Sequence, residues 1–271
     1  MPKIQALTCA MFALAVVTID TTAVANAADV DASLRAELNR VTQRRIFIGH
    51  QSVGVNLLDG IRQLATMAGV PVRIVEVKTA GSVGSATIGH AFIAENGIPF
   101  KKLISFEQGI GSKSTNLDIA LMKFCFVDFT AETNANALFA RYHATMNDLA
   151  AKNPNTTFLH VTVPLTVVQT GVKAKLKRLL GKAPYGTLEN MHREEYNTLL
   201  RQAYQGRAPI FDLARVESTR PDGKMETVEW KGSVAPAMVP AYSDDGGHLN
   251  AAGKLRAARE LISVLSAIPD R

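Results

Sequence analysis

The pattern of apolar and polar positions changes character twice in the first 45 residues. Met1-Pro2-Lys3 is followed by an apolar run from Ile4 to Val17 and then by the small-residue tail Ala25-Asn26-Ala27. The run is shorter than the roughly 20 apolar residues of an ordinary membrane span, and Asp20 interrupts its extension. This is the pattern of a secretory signal peptide, residues 1–27, cleaved after Ala27. From residue 45 onward, short apolar runs alternate with helical periodicity. Arg45-Ile46-Phe47-Ile48 reads as a strand and Gly49-His50-Gln51-Ser52 as a turn. Leu57, Leu58, Ile61, Leu64, Ala65 and Ala68 then recur on one face of a helix stopped by Gly69.

Further strands are predicted over 72–77, 119–127, 157–163 and 209–213, and helices over 136–152 and 188–203. A last helix starts near Asn250 and carries Leu255, Ala258, Leu261, Ile262 and Leu265; residues 218–243 read as a loop. Strands alternating with helices predict an α/β fold, a three-layer α/β/α sandwich around a mainly parallel five-stranded sheet, as one domain over residues 28–271.

Composition narrows the classes of function. With 47% hydrophobic and 20% charged residues in 271, the chain is neither disordered nor low in complexity. Removal of the leader takes one base, Lys3, and one acid, Asp20, so the net charge of +6 stands. An exported protein, periplasmic or secreted, with this charge and no aromatic-and-basic motif points to anionic polymers or surfaces and away from nucleic acid. Cys9 falls in the leader, which leaves Cys125 without a disulfide partner, in an apolar run that suits a packed core thiol.

Loops at the carboxyl ends of strands meet at one edge of such a sheet, so residues far apart in sequence converge there. Ser52 follows the first strand and opens a helix, where free backbone N–H groups favour a developing negative charge. It reads either as a nucleophile or as a helix cap. In Asp244-Asp245-Gly246-Gly247-His248 the spacing lets the Asp245 carboxylate fold back onto Nδ1–H of His248, leaving Nε2 as a base. The other reading is an exposed acidic loop.

These blocks together resemble the SGNH (GDSL-type) hydrolases, a superfamily of esterases, lipases and carbohydrate deacetylases, over residues 45–267. The resemblance implies an SGNH/flavodoxin-like fold with Ser52 as nucleophile, His248 as general base and Asp245 as its orienting acid. It further implies an oxyanion hole formed by the N–H of Ser52 and that of Gly84, in Val83-Gly84-Ser85-Ala86-Thr87. Two blocks depart from the pattern. The usual Gly-Asp-Ser is His50-Gln51-Ser52, and Cys125-Phe126-Val127-Asp128 has valine where the family places an oxyanion-binding Asn. Asn96, Asn116 and Lys123 are available as substitute donors, with Asn116 ahead of its strand.

His50 has three readings: a contact to substrate or oxyanion, a buried hydrogen-bonded histidine, or a zinc ligand with Asp245 and His248. Gln51 is a candidate substrate contact, and Asp128 is either a pocket-wall acid or a helix cap. Residues 172–182 carry five bases, no acid and an apolar face at helical spacing, the pattern of a basic amphipathic flap for an anionic surface or of a solvated helix. The resulting expectation is an exported serine esterase or deacylase, free of cofactor and metal, acting on a small ester or an acylated polysaccharide. An O-acyltransferase using the same residues and a non-catalytic glycan- or envelope-binding module are the alternatives.

Overall fold

Alternation along β1 (Arg45–His50) sets the layers of the molecule: Ile46 and Ile48 point into one core and Phe47 into the other. A computed structural model describes residues 32–111 and 116–270, so the expected signal peptide lies outside the described residues. The strands that join β1 are β2 (Ile74–Glu76), β3 (Thr87–Phe92), β4 (Ile119–Met122), β5 (Thr157–Val161) and β6 (Ile210–Phe211). They form a parallel sheet in the order β2-β3-β1-β4-β5-β6.

On one face of the sheet lie α1 (residues 32–41), α2 (Ser52–Ala68), α7 (Leu213–Ser218) and α8 (Ala251–Ala267). Leu34, Leu38, Leu57, Leu58, Ile61, Leu261 and Ile262 pack there against Ile46 and Ile48. On the other face, α3 (Pro99–Ile110), α4 (Ala135–Lys152) and α6 (Thr187–Tyr204) bring Leu103, Phe106, Leu138, Tyr142, Tyr196 and Leu200 against Phe47. A nine-residue helix, α5 (Gly171–Leu179), stands apart from both layers, and β7 (Thr227–Trp230) pairs with β8 (Ser233–Pro236) as an antiparallel hairpin. The fold is thus the expected three-layer α/β sandwich.

Two differences from the sequence reading concern the sheet. It has six strands rather than five, because Thr87–Phe92 forms β3 between β2 and β1. Gly89 and His90 interrupt its apolar run, and the glycine-rich stretch just before it reads as a loop continuing onward. Residues 218–243, read as a loop, contain the β7–β8 hairpin.

Candidate active site

Ser52 is the first residue of α2, directly after β1; the residue at the cap position is Gln51, whose side chain makes no capping bond. Capping therefore does not explain the serine. Its Oγ lies 2.9 Å from Nε2 of His248, and Nδ1 of His248 lies 2.6 Å from Oδ2 of Asp245. Because a carboxylate only accepts, Nδ1 carries the proton and Nε2 is left to accept from the serine hydroxyl.

A closed turn holds the histidine and the acid. Ser243 and Leu249 form an antiparallel bridge, and Asn56 of α2 accepts from the Leu249 N–H at 3.1 Å. Gly246 supplies the turn with a φ of 87°. Gly247 leaves room for the Phe126 ring, which a Cβ there would meet at 2.5 Å. That ring packs edge-on against His248, with centroids 5.4 Å apart. Desolvation works to raise the Asp245 carboxyl, but the N–H groups of Gly247 and His248 (2.9 and 2.8 Å from Oδ1) and the imidazole together outweigh it and hold the carboxyl well below the usual carboxylate range. His248 is 42% exposed and Asp245 56%, so the mouth of the site is shallow and open.

The structure places Gly84 elsewhere. Thr87 pairs with Arg45 at the start of β1, and the Arg45 guanidinium donates to Ser85 Oγ at 2.8 Å. Gly84 is therefore at the amino edge of the sheet, about 20 Å of strand away from Ser52, and its N–H cannot serve that oxyanion. The reason is β3: the strand beside β1 ends at Phe92, so the loop next to Ser52 is 93–98. Gln51 fastens this loop, its Nε2 donating to the Ile93 and Ala94 carbonyls at 2.8 and 2.6 Å, which commits the donors of its amide to structure.

Asp128 is likewise neither a pocket wall nor the cap of α4, which is Asn134. It is fully buried and paired with Lys102 of α3 at 2.6 Å, while its carboxylate also accepts from the Gly97 and Cys125 N–H groups. Lys102 donates in turn to Asn96 Oδ1 at 2.7 Å. One buried ion pair thus ties the loops after β3 and β4 together beside the serine. The Asn96 carbonyl is engaged, and its exposed amide nitrogen remains as a donor. Asn116 lies before β4, at the amino edge, and Val127 is part-exposed beside Phe126.

His50 is fully buried. Its Nδ1–H donates to the Gln51 carbonyl at 2.8 Å, which makes Nε2 the acceptor of a 3.0 Å bond from Nδ1–H of His90. Burial, above all, pushes its pKa down to about 4. With both nitrogens taken, the ring contacts neither substrate nor metal in this arrangement, and no three His, Cys, Asp or Glu among the described residues are grouped as metal ligands. Cys125 is buried. Lys123 is also buried, and its Nζ and the Glu217 Oε1 have no hydrogen-bond partner among the described residues. Desolvation pushes the lysine down and the glutamate up, each to about 8. His90, Lys102 and Glu217 were not foreseen from the sequence.

The sheet order, with the serine strand inside it and the Ser52-His248-Asp245 chain at its carboxyl edge, is the α/β arrangement expected from the resemblance to the SGNH (GDSL-type) hydrolases. No protein-family model matches the sequence, and no curated protein does. Among solved structures the chain is similar to a GDSL-like lipase from Bacteroides thetaiotaomicron VPI-5482, at 12% identity and a TM-score of 0.48, over 90% of this chain and 98% of the other. It is similar as well to the acetyl xylan esterase AlAXEase, at 15% identity and a TM-score of 0.48, over 80% and 97%. The periplasmic domain of a Salmonella ser. Paratyphi A lipopolysaccharide acetyltransferase matches at 11% identity and a TM-score of 0.41, over 89% and 94%. Structural neighbours thus include lipases, esterases and an acyltransferase.

Proposed function

We propose that the protein is an exported serine esterase that removes an O-acyl group by acyl transfer to Ser52. The observation that carries this reading is the continuous hydrogen-bonded chain from Ser52 Oγ through His248 to Asp245 at 2.9 and 2.6 Å. His248 Nε2 takes the serine proton as Oγ attacks the ester carbonyl. It then gives that proton to the leaving alcohol oxygen, and Asp245 steadies the imidazolium that forms in between. Water, deprotonated by the same nitrogen, hydrolyses the acyl-enzyme.

In this reading the negative oxygen is held by the Ser52 N–H, at the start of α2, and by the side-chain amide of Asn96. The open mouth and the net charge of +6 suit an ester on a bulky anionic polymer, an envelope polysaccharide above all. A sugar hydroxyl in place of water would turn the same residues to acyl transfer. The test is turnover of short acyl esters and acetylated polysaccharides by the purified protein and by Ser52→Ala. Acid release that vanishes in the variant supports the reading. Equal release by both, or none from any ester, contradicts it.

A further inference from the structure

Residues 170–184 form an excursion closed at a neck, where the Gln169 N–H donates to the Tyr185 carbonyl at 2.9 Å. The neck lies against the turn that carries Asp245 and His248, because the Val167 N–H donates to the Gly246 carbonyl at 2.9 Å. Helix α5 occupies this excursion. An ordinary surface helix turns its apolar stripe to the core, and α5 does the reverse. Val172, Leu176 and Leu179 are 82%, 56% and 83% exposed, and Leu180 just beyond is 63% exposed, whereas Ala174 is buried.

At about 100° per residue the three apolar side chains fall within an arc of roughly 60°, and Ala174 lies on the far side of the helix. Lys173 and Lys175 border the stripe on its two sides. Lys177 turns back and donates to Gln169 Oε1 at 3.0 Å. No acidic residue occurs between Thr170 and Leu188.

We propose that α5 is an interfacial anchor that lays the protein on an anionic lipid bilayer, with the Asp245–His248 turn beside that surface. Val172, Leu176, Leu179 and Leu180 enter the boundary between headgroups and acyl chains, while Lys173 and Lys175 extend along the interface to lipid phosphates. A polyanionic glycan would satisfy the bases but leave the apolar stripe in water. A second copy of the chain would cover the stripe but bring the same bases face to face. Docking stands on the helix alone. Its consequence, that the ester hydrolysed is carried by a molecule of the membrane surface, rests on the esterase reading above.

Sedimentation of the purified protein with phosphatidylcholine vesicles, and with vesicles of phosphatidylcholine and phosphatidylglycerol in equal parts, tests the proposal. At low salt the mixed vesicles are bound about tenfold more tightly or better, and added salt weakens that preference. Leu176→Ser with Leu179→Ser, and separately Lys173→Gln with Lys175→Gln, each lower binding about tenfold, while turnover of a soluble short-chain ester stays that of the parent. Vesicle binding with these losses, in a protein that hydrolyses no ester, would uphold docking while removing the esterase reading. Absence of vesicle binding, equal binding to both vesicles, or binding indifferent to the leucine pair would overturn the anchor. So would a dimer in sedimentation velocity that the leucine substitutions dissolve, or retention on dextran sulfate as strong as on vesicles.

Discussion

Ser52, His248 and Asp245 carry the proposed proton transfers, and each has a checkable consequence. Ser52 and His248 act as one unit, so Ser52→Ala and His248→Ala each abolish most turnover and the double variant costs little beyond either. Kinetics on the three variants check this; additive losses would contradict a shared role. Asp245→Asn keeps the shape of the turn but not its charge, and lowers kcat by about 10⁴-fold. His50 contributes to stability. Its folded pKa of about 4 lies below the ordinary imidazole value of 6.5, so the folded state resists its protonation. The associated stability is complete above pH 6.5 and is lost as pH falls toward 4, on the order of 3 kcal/mol for this ring. His160, lowered by burial to about 3, adds in the same direction. Urea unfolding at stepped pH should show the midpoint falling across that window; a flat profile would contradict the buried neutral assignment.

At the scale of elements, β3 decides which residues can reach the serine. If the site lies where loops 93–98 and 123–128 meet, Asn96→Ala lowers kcat about 10²–10³-fold. Gly84→Ala leaves activity unchanged, since a Cβ there meets only Thr87 Oγ1, at 3.5 Å. The reverse pattern in steady-state kinetics would restore the glycine to the oxyanion hole. Lys102→Met strands the fully buried Asp128 carboxylate between Gly97 and Cys125 and costs about 3–5 kcal/mol in denaturant unfolding.

The same strand marks the limit of what the sequence disclosed. Ser52 and the Asp245-to-His248 spacing were legible because each needs only a local signal, a strand-to-helix turn and a four-residue fold-back. Gly84 was assigned from its place after the second legible strand, and Gly89 and His90 hid the strand that lies between. The buried Lys102–Asp128 pair joins residues 26 apart through tertiary packing, which has no periodic trace.

Across the whole molecule, two cores on opposite faces of one sheet leave the carboxyl edge as the place where the serine turn, the Asp245–His248 turn and the neck of α5 meet. Layering of this kind was readable from alternating strand and helix periods. The direction of α5 was not, since an amphipathic helix presents the same period whether its apolar face is covered or bare. In the proposed reaction Ser52 is a nucleophile made reactive by His248. Intact-mass analysis after treatment with a fluorophosphonate tests it most directly. One covalent adduct is expected, mapped to Ser52 and absent from Ser52→Ala and His248→Ala; an unmodified protein, or an adduct on another residue, would contradict that role.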